Sequence, residues 1–349
     1  ADRHAAHVAF VDEAVLIGPS AVSESYLNAN NVLAAAKASG AQAVHPGYGF
    51  LSENADFAEA CAANDIIFIG PSVEAIEIMG NKAAAKEKMI EAGVPCVPGY
   101  NGDDQAVEAF LKAADNIGFP IMVKASAGGG GRGMRLVDHK DNLEDAINLA
   151  RSEAENAFGN GHLILEKAII NPSHIEIQVF GDSQGNIVHY GERDCSVQRR
   201  HQKRLEEAPS LVVQEDLREK MGEAAINAAR CVSYKGAGTV EFLLDTDGNF
   251  YFLEMNTRVQ VEHPVSEIAY DQDFVALQIE IARGGSLTEI APAATQSKWA
   301  IEARLYCEDP ENQFLPATGQ IDFWRTPKGE GIRIDCGIAT GSEVSPFYD

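Results

Sequence analysis

Disulfide chemistry has little to work with in this chain. Its six cysteines (Cys61, Cys96, Cys195, Cys231, Cys307 and Cys336) are scattered. No two stand at C-x-x-C spacing, so neither a disulfide framework nor a zinc site is indicated. Basic residues are scarce: 28 Lys plus Arg face 52 Asp plus Glu, a formal charge of −24. That balance argues against a nucleic-acid or anionic-membrane surface. No apolar run approaches the ~18 residues of a membrane span, and the opening Ala-Asp-Arg-His has neither the basic nor the apolar stretch of a secretion signal. Internal repeats, low-complexity tracts and long linkers are also missing. These absences predict a soluble protein of a reducing, cytosolic-type compartment.

What is present suffices for real cores. With 45% apolar residues, 349 residues make about two to three domains. Over residues 1–70, short apolar runs (Glu13–Ile17, Ala41–Val44, Ile66–Ile69) alternate with helical patterns such as Val32–Ala38, which predicts a parallel α/β layer. Residues 71–97 read as a helical linker, with a helix over Gly80–Gly93 ended by Gly93 and Val94-Pro95. Residues 98–169 read as a small α+β unit with strands Ile121–Lys124, Met134–Val137 and Leu163–Glu166 and a helix near Asn142–Ala157. From His174 strict alternation (His174-Ile-Glu-Ile-Gln-Val-Phe180) predicts antiparallel strands with one polar face, within a larger mixed domain over 170–349.

Three stretches carry chemistry. In Lys124-Ala-Ser-Ala-Gly-Gly-Gly-Gly-Arg-Gly133 the glycines follow a strand and precede another, so the embedded G-x-G-x-x-G is not a dinucleotide fingerprint. No Gly-Lys-Ser/Thr occurs either. The stretch suits a glycine lid whose N–H groups approach phosphate, with Lys124 as a point charge; a merely flexible loop is the alternative. Second, Thr239 to Glu254 reads as a hairpin. A two-residue turn at Asp247-Gly248 sets Glu241 opposite Glu254, where two carboxylates repel unless a cation lies between them. Beyond it Glu254, Asn256, Arg258, Gln260 and Glu262 alternate, so an extended chain would line them on one face. They offer metal ligands (Glu254, Asn256), an anion clamp (Arg258, Gln260) and a carboxylate base (Glu262). Third, Arg193, Arg199, Arg200, His201, Lys203 and Arg204 lie within thirteen residues, a basic island suggesting anion binding on an acidic protein. Cys195 inside it reads as a packing residue.

Taken together, His45-Pro-Gly-Tyr-Gly-Phe-Leu-Ser-Glu-Asn54, Met79-Gly-Asn-Lys82, the glycine stretch through Met134, Glu192-Arg-Asp-Cys-Ser-Val-Gln-Arg-Arg-His-Gln-Lys203 and Glu254-Met-Asn-Thr-Arg-Val-Gln-Val-Glu-His-Pro264 resemble the ATP-grasp family, and within it the biotin carboxylases. The resemblance covers the whole chain, and its last two segments are the specific ones. It implies an ATP-grasp fold of α/β and α+β type. A partial N-terminal parallel α/β domain, a lid domain and a larger mixed C-terminal catalytic domain would make it up.

The resemblance also implies roles. Lys82 and Lys124 hold ATP phosphates under a lid that includes Gly129, Gly130 and Gly131. Glu166, Lys167 and Ile169 meet adenine and His174 the ribose side, while Gln198, His201 and Lys203 face the nucleotide and the reaction centre. Glu241, Glu254 and Asn256 form a Mg²⁺ (or Mn²⁺) site. Arg258, Gln260 and the Val261 backbone bind bicarbonate, and Glu262 deprotonates it for attack on the γ-phosphate. Arg304 stabilises the biotin enolate, with Tyr48 touching biotin. Implied partners are a biotin carboxyl carrier domain and a carboxyltransferase, in a homodimer of the cytoplasm or, in a eukaryote, the mitochondrial matrix. The segments Glu302–Pro310 and Phe314–Gly319 look more like acyl-CoA carboxylase α subunits than acetyl-CoA carboxylase ones. The family's first strand-helix-strand and its closing segment are missing, which suggests a fragment. Ala127 stands where the lid usually has glycine, and Asn81 where aspartate is common. The rival expectations are another ATP-grasp carboxylate ligase with an amine acceptor, or an inert ATP-binding fragment.

Overall fold

The tract from His174 becomes the middle of a sheet. The computed structural model describes residues 2–126, 134–200, 202–291 and 295–347. Residues 45–58 and 69–304 form one compact unit. Its main sheet has six antiparallel strands in the order β11-β10-β7-β8-β9-β12. These are β7 (Ser173–Gly181), β8 (Ile187–Arg199), β9 (Gln202–Ala208), β10 (Gly236–Leu244), β11 (Phe250–Asn256) and β12 (Ala300–Ala303).

The period-2 pattern of β7 sorts its side chains. Ile175, Ile177 and Val179 pack with Val240 and Phe242 against the Ala-rich face of helix Glu215–Arg230, where Ala225, Ala228 and Ala229 let the helix approach the sheet closely. Truncating Ile177 in that core would cost about 2–5 kcal/mol. The polar face that the alternation predicts lies away from solvent: Glu176 and Gln178 are fully buried. A polar row away from water requires partners, and the site below supplies them. Further along, Phe180 joins Tyr190, Phe274 and Ile281 in a separate aromatic core.

The same unit carries a four-stranded sheet of β3 (Gly99–Tyr100), β4 (Ile121–Ala125), β5 (Met134–Val137) and β6 (Leu163–Lys167), in the order β3-β6-β4-β5. Leu143, Ile147, Ala150 and Ala154 recur at helical spacing on Leu143–Phe158 and pack on Ile121, Val123, Leu163 and Leu165. The helix Val107–Ile117 and strand β3 were not anticipated from the sequence. The expected helix at Gly80–Gly93 is in fact Lys82–Glu91, following a separate helix Val73–Gly80. Asn81 divides them, because its Oδ1 accepts the N–H groups of Ala83 and Ala84 and so caps the second helix.

The second unit comprises residues 1–44, 59–68 and 305–349. In it β1 (Ala43–Val44) and β2 (Ile67–Phe68) pair in parallel, as expected, and helix Ala29–Ala38 precedes β1 in the chain. The apolar run Glu13–Ile17 forms no strand: its residues are mostly exposed and make no ladder.

Candidate functional site

The hairpin β10–β11 reaches the anticipated register by a different route. Its turn has three residues, not two: Asp245 N–H donates to Asn249 O (2.9 Å), and Gly248 takes φ +85°. That conformation suits glycine. The longer turn displaces the register by one residue, and a bulge at Leu253 displaces it back. Glu241 therefore stands directly opposite Glu254.

Around Glu241 lies a dense polar cluster. Lys203 Nζ donates to Glu176 Oε2 (2.5 Å), Glu262 Oε1 (2.6 Å) and Glu241 Oε1 (3.1 Å). Burial opposes its charge, but the Glu176 and Glu241 carboxylates outweigh burial and hold the ammonium protonated. Glu241 also contacts His174 Nε2 (2.7 Å) and accepts from Asn256 (3.0 Å) and Gln260 (2.9 Å). Burial favours its neutral form, yet Lys203 and His174 keep it well below the usual carboxylate range. His174 is reciprocally raised: burial lowers it, and the bond to Glu241 more than compensates. Gln198 Nε2 lies 3.1 Å from the other ring nitrogen.

Arg193 is the keystone of this cluster and was anticipated only as one cation of a basic island. It is fully buried and donates to Glu176 (2.5 Å), Gln178 (2.8 Å), Ser266 (3.1 Å), Thr239 (3.1 Å) and Gln260 (3.3 Å). The island thus divides: Arg200 is exposed, and Arg199 and Arg204 are half-buried. Arg193 and Lys203 turn into the carboxylates of the sheet. Cys195 is buried, with its thiol pushed up by burial, as befits packing.

The extended row predicted from Glu254 to Glu262 ends at Asn256. There the chain bends, because Glu53 Oε1 accepts the Thr257 N–H (3.0 Å) and Glu53 Oε2 accepts Arg258 Nε (2.9 Å). Arg258 also donates to Asn256 Oδ1 (3.2 Å). The bend still delivers Gln260 and Glu262 to the cluster, while Val261 is half-buried beside them. Glu262 is clasped from two sides, by Lys203 and by Arg304 Nη2 (2.7 Å).

A pocket of about 270 Å³ opens next to Glu254, lined in part by Glu53, Lys82, Asn256 and Thr257. Among the described residues Glu254 has no hydrogen-bond or ion-pair partner. Burial, and then the charge of Glu241, raise its carboxyl. A cation bound by Glu241, Glu254 and Asn256 would relieve this, so the donor set fits a hard divalent metal.

Two expected phosphate and adenine groups are paired with each other. Glu166 accepts from Lys124 and, at 2.7 Å, from Lys86, and these two cations overcome its burial and lower its pKa. Lys86 lies one turn from Lys82 on the same helix, an i, i+4 spacing that was available in the sequence. Lys167 donates to the carbonyls of Gly118 (3.0 Å) and Phe119 (2.6 Å), and Ile169 is half-buried nearby in sequence. Tyr48 is half-exposed between Gly47 and Gly49, both at positive φ. Gly129, Gly130, Gly131 and His201 lie outside the described residues.

Comparisons with known proteins bear on the family and the fold. Residues 81–290 match the family of the carbamoyl-phosphate synthase L chain ATP-binding domain, residues 1–76 the biotin carboxylase N-terminal domain, and 302–349 the biotin carboxylase C-terminal domain. The biotin carboxylase of Nostoc sp. is 53% identical over all of this chain and 78% of its own length. The mitochondrial methylcrotonoyl-CoA carboxylase subunit alpha of Dictyostelium discoideum is 50% identical; the chain spans half of that relative. A Campylobacter jejuni biotin carboxylase complexed with a β,γ-ATP ligand superposes with TM-score 0.93 at 47% identity, over all of this chain and 78% of that one. The biotin carboxylase domain dimer of Hydrogenobacter thermophilus 2-oxoglutarate carboxylase, solved with MgADP, ADP and bicarbonate, gives 0.91 at 46%, over all of this chain and 77% of that one. Fold and site together define an ATP-grasp protein. Within that class the chain belongs to the biotin carboxylase family.

Proposed function

We propose that this chain carries out the ATP- and bicarbonate-dependent carboxylation of biotin. The observation that carries the reading is Glu262 held between Lys203 and Arg304, with Gln260 and Arg258 on the same short segment. A carboxylate flanked by two cations, beside groups able to clamp a small planar anion, suits proton removal from bicarbonate. Arg258 and Gln260, with the Val261 N–H, bind the anion. Glu262 takes its proton, so that a bicarbonate oxygen attacks the γ-phosphorus and ADP leaves with the electron pair of the broken P–O bond. The resulting carboxyphosphate separates into CO₂ and phosphate. The phosphate so released takes the ureido N–H proton of biotin, and the biotin nitrogen bonds to the CO₂ carbon, while Arg304 steadies the enolate oxygen and Tyr48 flanks the ring.

Lys82 and Lys124 meet the nucleotide phosphates, and Glu166, Lys167, Ile169, His174 and Gln198 line the nucleotide side. Glu241, Glu254 and Asn256 would hold a divalent cation that neutralises developing charge on the phosphates. The same reading gives a carrier-borne biotin as substrate, a carboxyltransferase as partner, a homodimer, and a cytoplasmic or mitochondrial-matrix location. Incubating the protein with ATP, Mg²⁺, bicarbonate and free biotin tests it. Bicarbonate-dependent ADP release that biotin stimulates is expected, and ADP release indifferent to bicarbonate sinks the reading.

A further inference from the structure

Strand β12 ends next to the site and brings an unassigned carboxylate with it. Its register on β9 places Glu302 directly opposite Glu206, where Cβ atoms stand about 4.5–5.5 Å apart. Glu206 is almost fully buried, and Glu302 is partly so. Both Glu206 oxygens and Glu302 Oε2 are buried without a hydrogen bond among the described residues. The nearest cation is Arg304, whose Nε lies 2.7 Å from Glu206 Oε1 but out of line for a hydrogen bond, while its Nη2 binds Glu262. One guanidinium therefore serves both Glu206 and Glu262, and it is also the cation that acts most on Glu302.

Two opposed carboxylates sheltered from water do not both ionise readily. We propose that Glu206 and Glu302 share a single proton at neutral pH, and that this pair positions Arg304. While the proton is held, the pair carries one negative charge and leaves Arg304 directed at Glu262. When it is lost, two charges draw the guanidinium back toward the strands. The proposal builds on Arg304 being the biotin-facing arginine of the reading above.

The surroundings support an elevated ionisation. Burial and the Glu206 charge push Glu302 up to about 7, with Arg304 opposing and Glu262 reinforcing the rise. Glu206 is also raised, by burial first, against the pull of Arg304. Arg193 acts on Glu302 and Glu176 on Glu206 from the neighbouring strands. Lys203, on β9 itself, is bound to three other carboxylates. Helix His263–Tyr270 packs on β12 and contributes His263 and Glu267, which lie 3.8 Å from each other.

The test is carboxyl ¹³C NMR of the glutamate-labelled protein across a pH titration, with Glu302→Gln and Glu206→Gln alongside. One carboxyl titrating near pH 7 is expected in the unaltered protein. It should be absent in Glu302→Gln and moved to lower pH in Glu206→Gln. No carboxyl titrating in the neutral range, or one that persists in Glu302→Gln, overturns the shared proton whatever the enzyme's activity. The link to Arg304 is read from the KM for free biotin, which should rise above about pH 7 in the unaltered protein and stay flat in Glu302→Gln, with the KM for ATP unchanged. Identical biotin profiles in the two proteins refute the positioning role. A neutral carboxyl in a protein that carboxylates no biotin supports the pair and counts against the functional reading instead.

Discussion

Replacing Arg193 with Met removes a fully buried guanidinium that binds five side chains. Glu176 keeps Lys203 at 2.5 Å, so its carboxylate is not abandoned; it loses one charge-assisted bond, worth about 1.5–3 kcal/mol. Gln178 keeps its own bond to the Gly238 carbonyl (3.0 Å), but its Oε1 is left without a donor, which costs about 1–3 kcal/mol. The Thr239 and Ser266 hydroxyls, which accept from Arg193, can rotate to other partners, and the Gln260 bond is the longest of the five at 3.3 Å, so these three add little. The sum agrees with the about 3–5 kcal/mol expected for breaking a buried ion pair, a large share of the 5–15 kcal/mol of a typical domain. Urea unfolding at neutral pH, followed by far-UV circular dichroism, measures it. A cycle with Glu176→Gln should show a coupling of about 0.5–3 kcal/mol. A loss below about 1 kcal/mol with an unchanged denaturant slope would show that Arg193 is not what holds the polar face of β7 together.

Glu262→Gln should retain ATP binding and lose turnover by about 10²–10⁴-fold, the scale for removing a general base; an equal loss of ATP affinity would assign it another role. Glu254→Gln should weaken nucleotide binding in calorimetry chiefly when Mg²⁺ is present, and a metal-independent loss would point to a purely structural hairpin. Acid should destabilise the protein through Glu176 and Glu241. Both are depressed below the ordinary 4.5, because Lys203, with Arg193 beside Glu176 and His174 beside Glu241, overcomes burial. Their contribution is present above that ordinary value and is lost as pH falls below it. A urea midpoint unchanged from pH 6 to pH 3 contradicts this.

How much of this could be read from the sequence depended on whether the signal was local. Strands β4, β5 and β6 of the four-stranded sheet and the helix over Leu143–Phe158 follow directly from local pattern, and so does the antiparallel β7. The Glu241–Glu254 opposition was anticipated, although its turn is one residue longer and the Leu253 bulge compensates. Alternation in β7 could not reveal that its polar side faces inward, because a row of Glu and Gln looks the same whether water or Arg193 satisfies it. The bend after Asn256 is imposed by Glu53, some two hundred residues earlier, and no local pattern carries it. Likewise the Glu206–Glu302 pairing exists only once β12 has joined the sheet edge.

The central claim is that bicarbonate, activated at Glu262, attacks the γ-phosphate. Turnover in ordinary water with ATP, Mg²⁺, biotin and ¹⁸O-labelled bicarbonate tests this directly, with the released phosphate read by mass spectrometry. The account predicts one labelled oxygen in each phosphate formed, since a bicarbonate oxygen stays on phosphorus when CO₂ departs. Phosphate carrying no label would mean that water, not bicarbonate, is the nucleophile, and would contradict it.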